Sequence, residues 1–265
     1  MSQNKTNIYD IEPHLAEVYD QSEIYQDDVE LIRDLIGDRK PLRILEPFCG
    51  TGRILLPLAV DGHQLYGFDQ AKGMLDRARM KVGQLPAEAQ QRVTLTVADA
   101  IGTPWPRGFD LVILGCNCLY ELATPEEQER CIISAAGSLN PGGYVYVDND
   151  HMEGELARSW RRPGVAQGFP TGNCADDTRV ESYIETIWWD APRRLVRFRR
   201  GTRVTLPDGT IVEKEYFQQK HPVSTLEVWT WLEKHGFMVR HLFGDRMGSP
   251  YTDISGRAIF WAKKD

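Results

Sequence analysis

The sequence predicts a doubly wound α/β domain: a mostly parallel sheet with an antiparallel β insertion after its fifth strand. Three observations carry that prediction. Short apolar strand-like runs alternate with helix-like segments from Leu42 to Asp148, the rhythm of a parallel sheet covered by helices. A turn with two glycines, Gly50-Thr51-Gly52, joins the first strand to the next helix, where such sheets hold ligands. After Asp150 the rhythm gives way to a long segment with several Gly and Pro, then to three strand-like runs.

The elements follow in order. From about Pro13 to Ile36 apolar residues recur at helical spacing, with a break near Gln21-Ser22 and a stop at Gly37. Arg43-Ile44-Leu45-Glu46 reads as the first strand, and Arg53 to Val60 as a helix. Gln64 to Asp69 is the second strand, followed by a helix over Gly73 to Gly83 and a third strand over Arg92 to Val97. Phe109 to Leu114 is a near-continuous apolar run, as expected of a strand buried on both faces. Thr124 with Glu127 forms a capping-box pattern ahead of a helix over Pro125 to Leu139. Asn140-Pro141-Gly142-Gly143 stops it, and Tyr144 to Asp148 is the fifth strand.

His151 to Thr178 reads as a long loop with a short helix around Glu155–Arg161, and loops of that length commonly serve as lids. Val180 to Trp189, Leu195 to Leu206 and Ile211 to Gln219 alternate like strands, with Asp190-Ala191-Pro192 and Pro207-Asp208-Gly209 as turns. Thr225 to His235 returns to helix, and Phe237 to Phe243 and Ala258 to Ala262 close the sheet. The expected organisation is a single domain over 1–265. It comprises a helical cap over 13–37, a cofactor-binding core over 40–150, a substrate-facing lid and insertion over 151–222, and a closing segment over 223–265.

Composition narrows the function. Lys+Arg 31 against Asp+Glu 38 gives a formal charge of -7, which argues against a nucleic-acid coat because such proteins need a basic footprint. No apolar stretch approaches the ~20 residues of a spanning helix, and the polar start Met1 to Asn7 lacks a signal-peptide core. Five cysteines without framework spacing predict a reducing cytoplasm. Cys116-x-Cys118 has no second Cys/His pair nearby, so no metal site is predicted there.

Three features then fall at consecutive strand ends. Glu46-Pro47-Phe48-Cys49-Gly50-Thr51-Gly52 supplies an acid and two glycines that let backbone approach a ligand. Asp69 ends the second strand, where ribose hydroxyls of a nucleoside would lie. Asp99 follows the third strand in Val97-Ala98-Asp99-Ala100. A dinucleotide site wants a third glycine where Leu55 stands, and the Lys-Ser/Thr of a phosphate-gripping loop is missing. A nucleoside cofactor without phosphates is the expectation.

Ile44 to Gly52, Gly67-Phe68-Asp69 with Met74-Leu75, Asp99-Ala100 and Leu139-Asn140-Pro141-Gly142-Gly143 together resemble the class I S-adenosylmethionine-dependent methyltransferases, over about 40 to 150. Tyr19-Asp20, Gly50 to Arg53, Asn117 and Gly244-Asp245 are similar to small bacterial methyltransferases of small molecules, and more distantly to the glycine N-methyltransferase group. The resemblance implies a Rossmann-like sheet and S-adenosyl-L-methionine as cofactor. It implies that Glu46, Gly50 and Gly52 line the methionine part of the cofactor, with the acid near its ammonium. It implies Asp69 on the ribose hydroxyls with Gln70 beside it, Met74 against the adenine, and Asp99 with the Ala100 backbone on the adenine edge. Gly115 and Cys116 would offer carbonyls to the cofactor amino group, and Tyr19 would close over the sulfonium. One position departs: Phe48 stands where the family's first turn glycine falls.

Methyl transfer is a direct displacement, so alignment of acceptor, methyl and sulfur is the main requirement. A neutral amine needs little beyond desolvation and a proton exit, whereas a hydroxyl needs a general base or a metal. His151 and His221 are the candidate bases, weighed against packing roles; Tyr19 and Tyr120 complete the catalytic candidates. Asp148-Asn149-Asp150 invites a magnesium reading, but Cys116-Asn117 stands where a further Asp ligand is needed. Asn117-Cys118-Leu119-Tyr120 has the ends of an amino-methyltransferase motif for DNA without its prolines.

Asn117, Tyr120, Trp188, Arg197 and Arg199 are the substrate candidates. Alternation puts Arg197 and Arg199 on one strand face, and Arg194 and Arg200 on the other with Val196 and Phe198. They would either grip an anionic acceptor or pair across strands with Glu181, Glu185, Glu213 and Glu215. The expected function is transfer of a methyl group to a small molecule, with N-methylation ahead of O-methylation and no nucleic-acid or membrane partner. The alternatives are a non-catalytic S-adenosylmethionine binder and a nicotinamide-dependent oxidoreductase.

Overall fold

A computed structural model describes residues 13–39, 41–153, 160 and 164–265. The N-terminal helical segment is two helices, α1 (Pro13–Ser22) and α2 (Asp27–Ile36), broken at residues 23–26. The core then runs β1 (Arg43–Pro47), α3 (Leu55–Val60), β2 (Gln64–Asp69), α4 (Lys72–Val82), α5 (Ala87–Gln90), β3 (Val93–Val97), β4 (Phe109–Leu114), α6 (Pro125–Ser138) and β5 (Leu139–Asp150). The short strands β6 (Val165–Gln167) and β7 (Gly172–Asn173) precede three longer ones, β8 (Arg179–Asp190), β9 (Leu195–Thr205) and β10 (Ile211–Lys220). The chain closes with α7 (Thr225–Lys234), β11 (Phe237–Phe243) and β12 (Arg257–Lys264).

Seven strands form the main sheet in the order β3-β2-β1-β4-β5-β12-β11. The pairs from β3 through β5 are parallel, while β12 runs antiparallel to both β5 and β11. Ile44, Leu111, Ile113 and Tyr146 face one core layer, and Leu45, Val112, Leu114 and Val147 the other, all of them 0 % exposed. Burial on both faces explains why β4 reads as an unbroken apolar run. The strand order reverses at β1 and β4, which opens a crevice beyond their C-terminal ends.

Several boundaries differ from expectation. The helix after the glycine turn starts at Leu55 rather than Arg53, because Arg53 is drawn into an ion pair with Asp28. The strand after α6 starts at Leu139: its pairing with Phe109 begins just before the Asn-Pro-Gly-Gly segment and resumes at Tyr144 after a register irregularity. At α6, Thr124 accepts from the Glu127 N–H, but the Glu127 carboxylate takes the Ala123 N–H instead of closing a box. A complete capping box does form at α7, between Ser224 and Glu227. The short helix expected around Glu155–Arg161 falls outside the described residues, Trp160 apart.

The insertion forms a second, antiparallel sheet in the order β10-β9-β8-β6, with β7 also on β8. Its inner face carries Val180, Ser182, Val196, Phe198, Arg200, Thr202 and Val204, all buried. Leu15 and Val18 of α1 pack on Cys174, Val180 and Val204. Trp160 bridges Phe198 to Tyr120. The inner face is thus turned toward α1 and the turn that follows β4.

Candidate functional site

The first part of the site is a backbone cradle at the ends of β1 and β4. Phe48, Gly50 and Gly52 have φ of 60°, 53° and 77°, and Cys116 and Asn117 have φ of 54° and 59°. Left-handed backbone costs a non-glycine residue roughly 1–2 kcal/mol, and such strain gathers where a fold shapes a site. Phe48 therefore adopts the conformation that the usual glycine would adopt, so the departure in the motif leaves the turn intact. Gly115 needs its hydrogen for space: a Cβ there would sit 2.7 Å from Ile54 Cδ1.

Glu46 is 5 % exposed, and its Oε2 has no hydrogen-bond partner among the described residues. Burial pushes its carboxyl well above the usual range; Arg53 opposes the shift, and Asp28 and Asp69 add to it. A buried acid in this state is complementary to a ligand cation. Asp69 accepts from the Gly50 N–H at 2.9 Å and the Ala71 N–H at 2.8 Å, so it also shapes the turn. Gln70 and Asp99 are exposed, and Asp99 accepts from the Ile101 N–H at 3.0 Å. The Ala100 carbonyl accepts from Trp105 Nε1 at 2.9 Å. Trp105, which no sequence motif singles out, packs edge-on to Phe68 at this corner.

Tyr19 packs beside Ala16, Ala71 and Met74, and Met74 Cε lies 3.3 Å from where a Gly50 Cβ would be. The adjacent Asp20 latches α1 onto the turn through Thr51 Oγ1 at 2.7 Å, Lys81 at 2.6 Å and Arg77 at 3.3 Å. Burial alone would raise the Asp20 carboxyl, but these partners hold it below the ordinary aspartate value. The same helix contacts the second sheet, so Tyr19 lies at the junction of cradle and insertion.

The residues beyond β4 hold the site in shape. Asn117 Oδ1 accepts from the Asp150 N–H at 2.6 Å and from Arg257 at 3.3 Å. The Tyr120 hydroxyl donates to the Asp150 carbonyl at 2.7 Å. Gly115 O already accepts from the Cys118 N–H at 3.1 Å. The Cys116 thiol, in contact with Arg53, is pushed up to about 12, chiefly by burial. Asp148 takes Arg246 at 3.0 Å and Arg257 at 2.6 Å, so its carboxylate braces the strand ends rather than facing a ligand. Arg53 and Arg246 both lie over the Tyr25 ring, at 4.0 and 4.5 Å from its centroid. Arg53 belongs to the Gly50 to Arg53 motif, but Arg246, Arg257, Tyr25 and Asp28 carry no motif signal, since their partners lie far apart in sequence.

Five acceptor-side expectations are corrected. His151 is engaged at Nδ1 by the Ser255 carbonyl and at Nε2 by the Tyr251 hydroxyl. His221 is 1 % exposed, held at Nε2 by Glu227 at 2.9 Å and at Nδ1 by the Arg194 carbonyl at 3.2 Å. Both histidines are therefore packing residues with occupied ring nitrogens. Arg197 and Arg199 lie on the outer face of the second sheet. There Arg197 bonds Gln219 and covers the Trp188 ring, and Arg199 pairs with Glu185 at 2.5 Å. Trp188 is 40 % exposed on that same face. The residue of this cluster on the inner face is Arg200, 8 % exposed.

A family described as "Methyltransferase domain" matches residues 44–143. Among curated relatives, a Bacillus subtilis protein carrying the name methyltransferase YqeM is 30 % identical over 142 residues, covering 54 % of this chain and 52 % of that protein. The 23S rRNA (uracil(1939)-C(5))-methyltransferase RlmD of Bordetella parapertussis is 28 % identical over 155 residues, covering 54 % of this chain and 33 % of that protein. The chain thus spans about half the length of the first and a third of the second. Among solved structures, the CcbJ methyltransferase from Streptomyces caelestis superposes with a TM-score of 0.69 at 19 % identity, covering 97 % of both chains. The sugar N-methyltransferase KedS8 from Streptoalloteichus sp. has a TM-score of 0.67 at 19 % identity, covering 92 % of this chain and 90 % of its own.

Proposed function

We propose that the chain, whose residues 44–143 match a methyltransferase domain and whose fold matches a solved methyltransferase, is a class I S-adenosylmethionine-dependent enzyme that methylates a small molecule at nitrogen. The observation that carries the reading is the buried Glu46 with its unpartnered Oε2, set in the left-handed cradle of Phe48, Gly50 and Gly52. On this reading S-adenosyl-L-methionine is the cofactor, and its ammonium, ribose and adenine match Glu46, Asp69 and Asp99 in chemistry and order. Bound there, it supplies an electrophilic methyl on a sulfonium.

The protein's own residues do the rest. Asp69 shapes the Gly50 turn and offers carboxylate oxygen to ribose, Asp99 offers an acceptor to the adenine edge, and Met74 backs the pocket. Tyr19, held down through Asp20, covers the sulfonium end and excludes water. Gly115, Cys116, Asn117 and Tyr120 form the wall against which an acceptor is aligned. Alignment of this kind can lower a barrier by roughly 7–11 kcal/mol. Nitrogen is favoured as the acceptor atom because His151 and His221 both have occupied ring nitrogens, while a neutral amine needs no strong base. A structural relative titled as a sugar N-methyltransferase supports the same preference. The rRNA-directed relatives support a nucleic-acid acceptor instead, and the formal charge of -7 weighs against it. No helix among the described residues is long and apolar enough to cross a membrane, and the five free cysteines suit a cytoplasmic site of action.

The test is incubation with S-adenosylmethionine and panels of small amines, phenols, carboxylates and short RNA. S-adenosylhomocysteine formation with amines, weakened by Tyr19→Phe, is the expected result. Turnover with RNA alone would replace the acceptor class. Cofactor binding without turnover on any panel would make the protein a binder.

A further inference from the structure

The inner face of the second sheet presents two buried donors that bond nothing among the described residues. Arg200 of β9 and Tyr216 of β10 stand directly opposite each other in the antiparallel register, so their side chains are neighbours. Arg200 Nε and Tyr216 Oη are both buried and have no hydrogen-bond partner among the described residues. The other guanidinium nitrogens of Arg200 donate to neutral oxygens, Gln218 Oε1 at 2.9 Å and the Phe169 carbonyl at 3.1 Å. The nearby carboxylate, Glu121, is engaged by Lys220 at 2.6 Å and Gln218 at 2.9 Å. Among the described residues, no ion pair joins Arg200 to that carboxylate.

A buried guanidinium with an Nε–H idle among the described residues, beside a hydroxyl equally idle, is costly unless a ligand completes it. An oxyanion does so, accepting from Nε–H and O–H together. The seat also lies next to the reaction end of the site. The Phe169 carbonyl that holds Arg200 belongs to the residue whose ring meets Tyr19 edge-on, with centroids 5.5 Å apart.

We propose that the methyl acceptor is an amine carrying a carboxylate or phosphate, whose oxyanion seats on Arg200 and Tyr216 while its nitrogen reaches past Tyr19. This rests on the methyltransferase reading and adds the acceptor's second functional group. Arg200 then fixes the distance between anion and nitrogen, and so selects the acceptor by length.

The experiment titrates acetate, benzoate and inorganic phosphate, with acetamide as neutral control, into the full chain with and without S-adenosylhomocysteine. The same titrations are run on Arg200→Gln, Arg200→Lys and Tyr216→Phe. Turnover is compared for β-alanine against β-alaninamide, and for phosphoethanolamine against ethanolamine. The expected result is saturable oxyanion binding that weakens by about tenfold or more in Arg200→Gln and is partly kept in Arg200→Lys. Tyr216→Phe weakens it less, and S-adenosylhomocysteine affinity is unchanged in all three variants. Preference between carboxylate and phosphate probes identifies the group. Acetamide binding as well as acetate, or oxyanion binding indifferent to Arg200, would overturn the proposal. So would absence of oxyanion binding in the unmodified protein. Failure of S-adenosylhomocysteine to bind would instead remove the methyltransferase reading, and the oxyanion titration still reads without it.

Discussion

At the C-terminal edge of the parallel sheet the site is made largely of backbone, bent by Phe48, Gly50, Gly52, Cys116 and Asn117 in left-handed conformations. On the antiparallel sheet the corresponding surface is made of side chains, and strand pairing decides which of them point inward. Arg199 and Arg200 are neighbours in sequence, yet one pairs with Glu185 on the outer face and the other is buried beside Tyr216. A backbone cradle tolerates changes of side chain, as Phe48 in a glycine position illustrates. A side-chain face is redefined by a one-residue shift of register. The first arrangement suits a cofactor, the second an acceptor that differs from protein to protein.

The largest effect expected from breaking this contrast lies in the bracing between strand ends. Asp148→Ala strips a buried carboxylate from Arg246 and Arg257 and should cost about 3–5 kcal/mol of stability. A denaturant melt would detect it, and cofactor binding should weaken with it. A change under about 1 kcal/mol would mean that the network is not what holds Asn117 and Asp150 in place.

Within the cradle, Glu46→Gln should weaken S-adenosylmethionine binding by about tenfold or more. Burial raises the free Glu46 carboxyl, so a cation bound beside it should drive off a proton. Affinity should then rise with pH until the raised pKa is passed. Calorimetry in two buffers of different ionisation enthalpy reads that proton, and no difference between the buffers would count against the role of Glu46.

At the joint between the sheets, the Glu227 carboxyl is raised by burial but lowered further by His221 and the Ser224 N–H, to about 2. A depressed acid stabilises the folded state above its unfolded pKa and loses that contribution as pH falls through the folded one. The window therefore runs from the model-peptide value of 4.5 down to about 2, with roughly 2 kcal/mol at stake in this partly exposed group. Glu227→Gln should be less stable than the unmodified chain at pH 6, with the gap closing near pH 2. The smallest effect belongs to the outer face: Arg199→Ala should leave the melting midpoint and turnover within error, since its pair is solvent-screened. A lost turnover there would return the outer face to the acceptor site.

These differences also mark what the sequence makes legible. The alternating core and the acids at the ends of β1, β2 and β3 follow from local patterns, because each sits within a few residues of its strand or turn. The insertion's three long strands are readable from alternation and from Pro207-Asp208-Gly209. The inward choice of Arg200 over Arg199 is not, because it depends on how the whole sheet docks on α1 and Tyr120. His151 and His221 mislead for the same reason: their partners, Ser255, Tyr251, Glu227 and Arg194, arrive from other segments. The stacking of Arg53 and Arg246 on Tyr25 joins three distant stretches, and no spacing rule reaches it.

If the strand-end cradle binds S-adenosylmethionine, Asp69 is part of the grip. The most direct measurement is a calorimetric titration of S-adenosylhomocysteine into the unmodified protein and Asp69→Ala, with NAD as the control ligand and a melt to show that the variant folds. Saturable binding that Asp69→Ala abolishes, with no binding of NAD, is the predicted result. No binding of the sulfur ligand, equal binding by the folded variant, or a preference for NAD would contradict it.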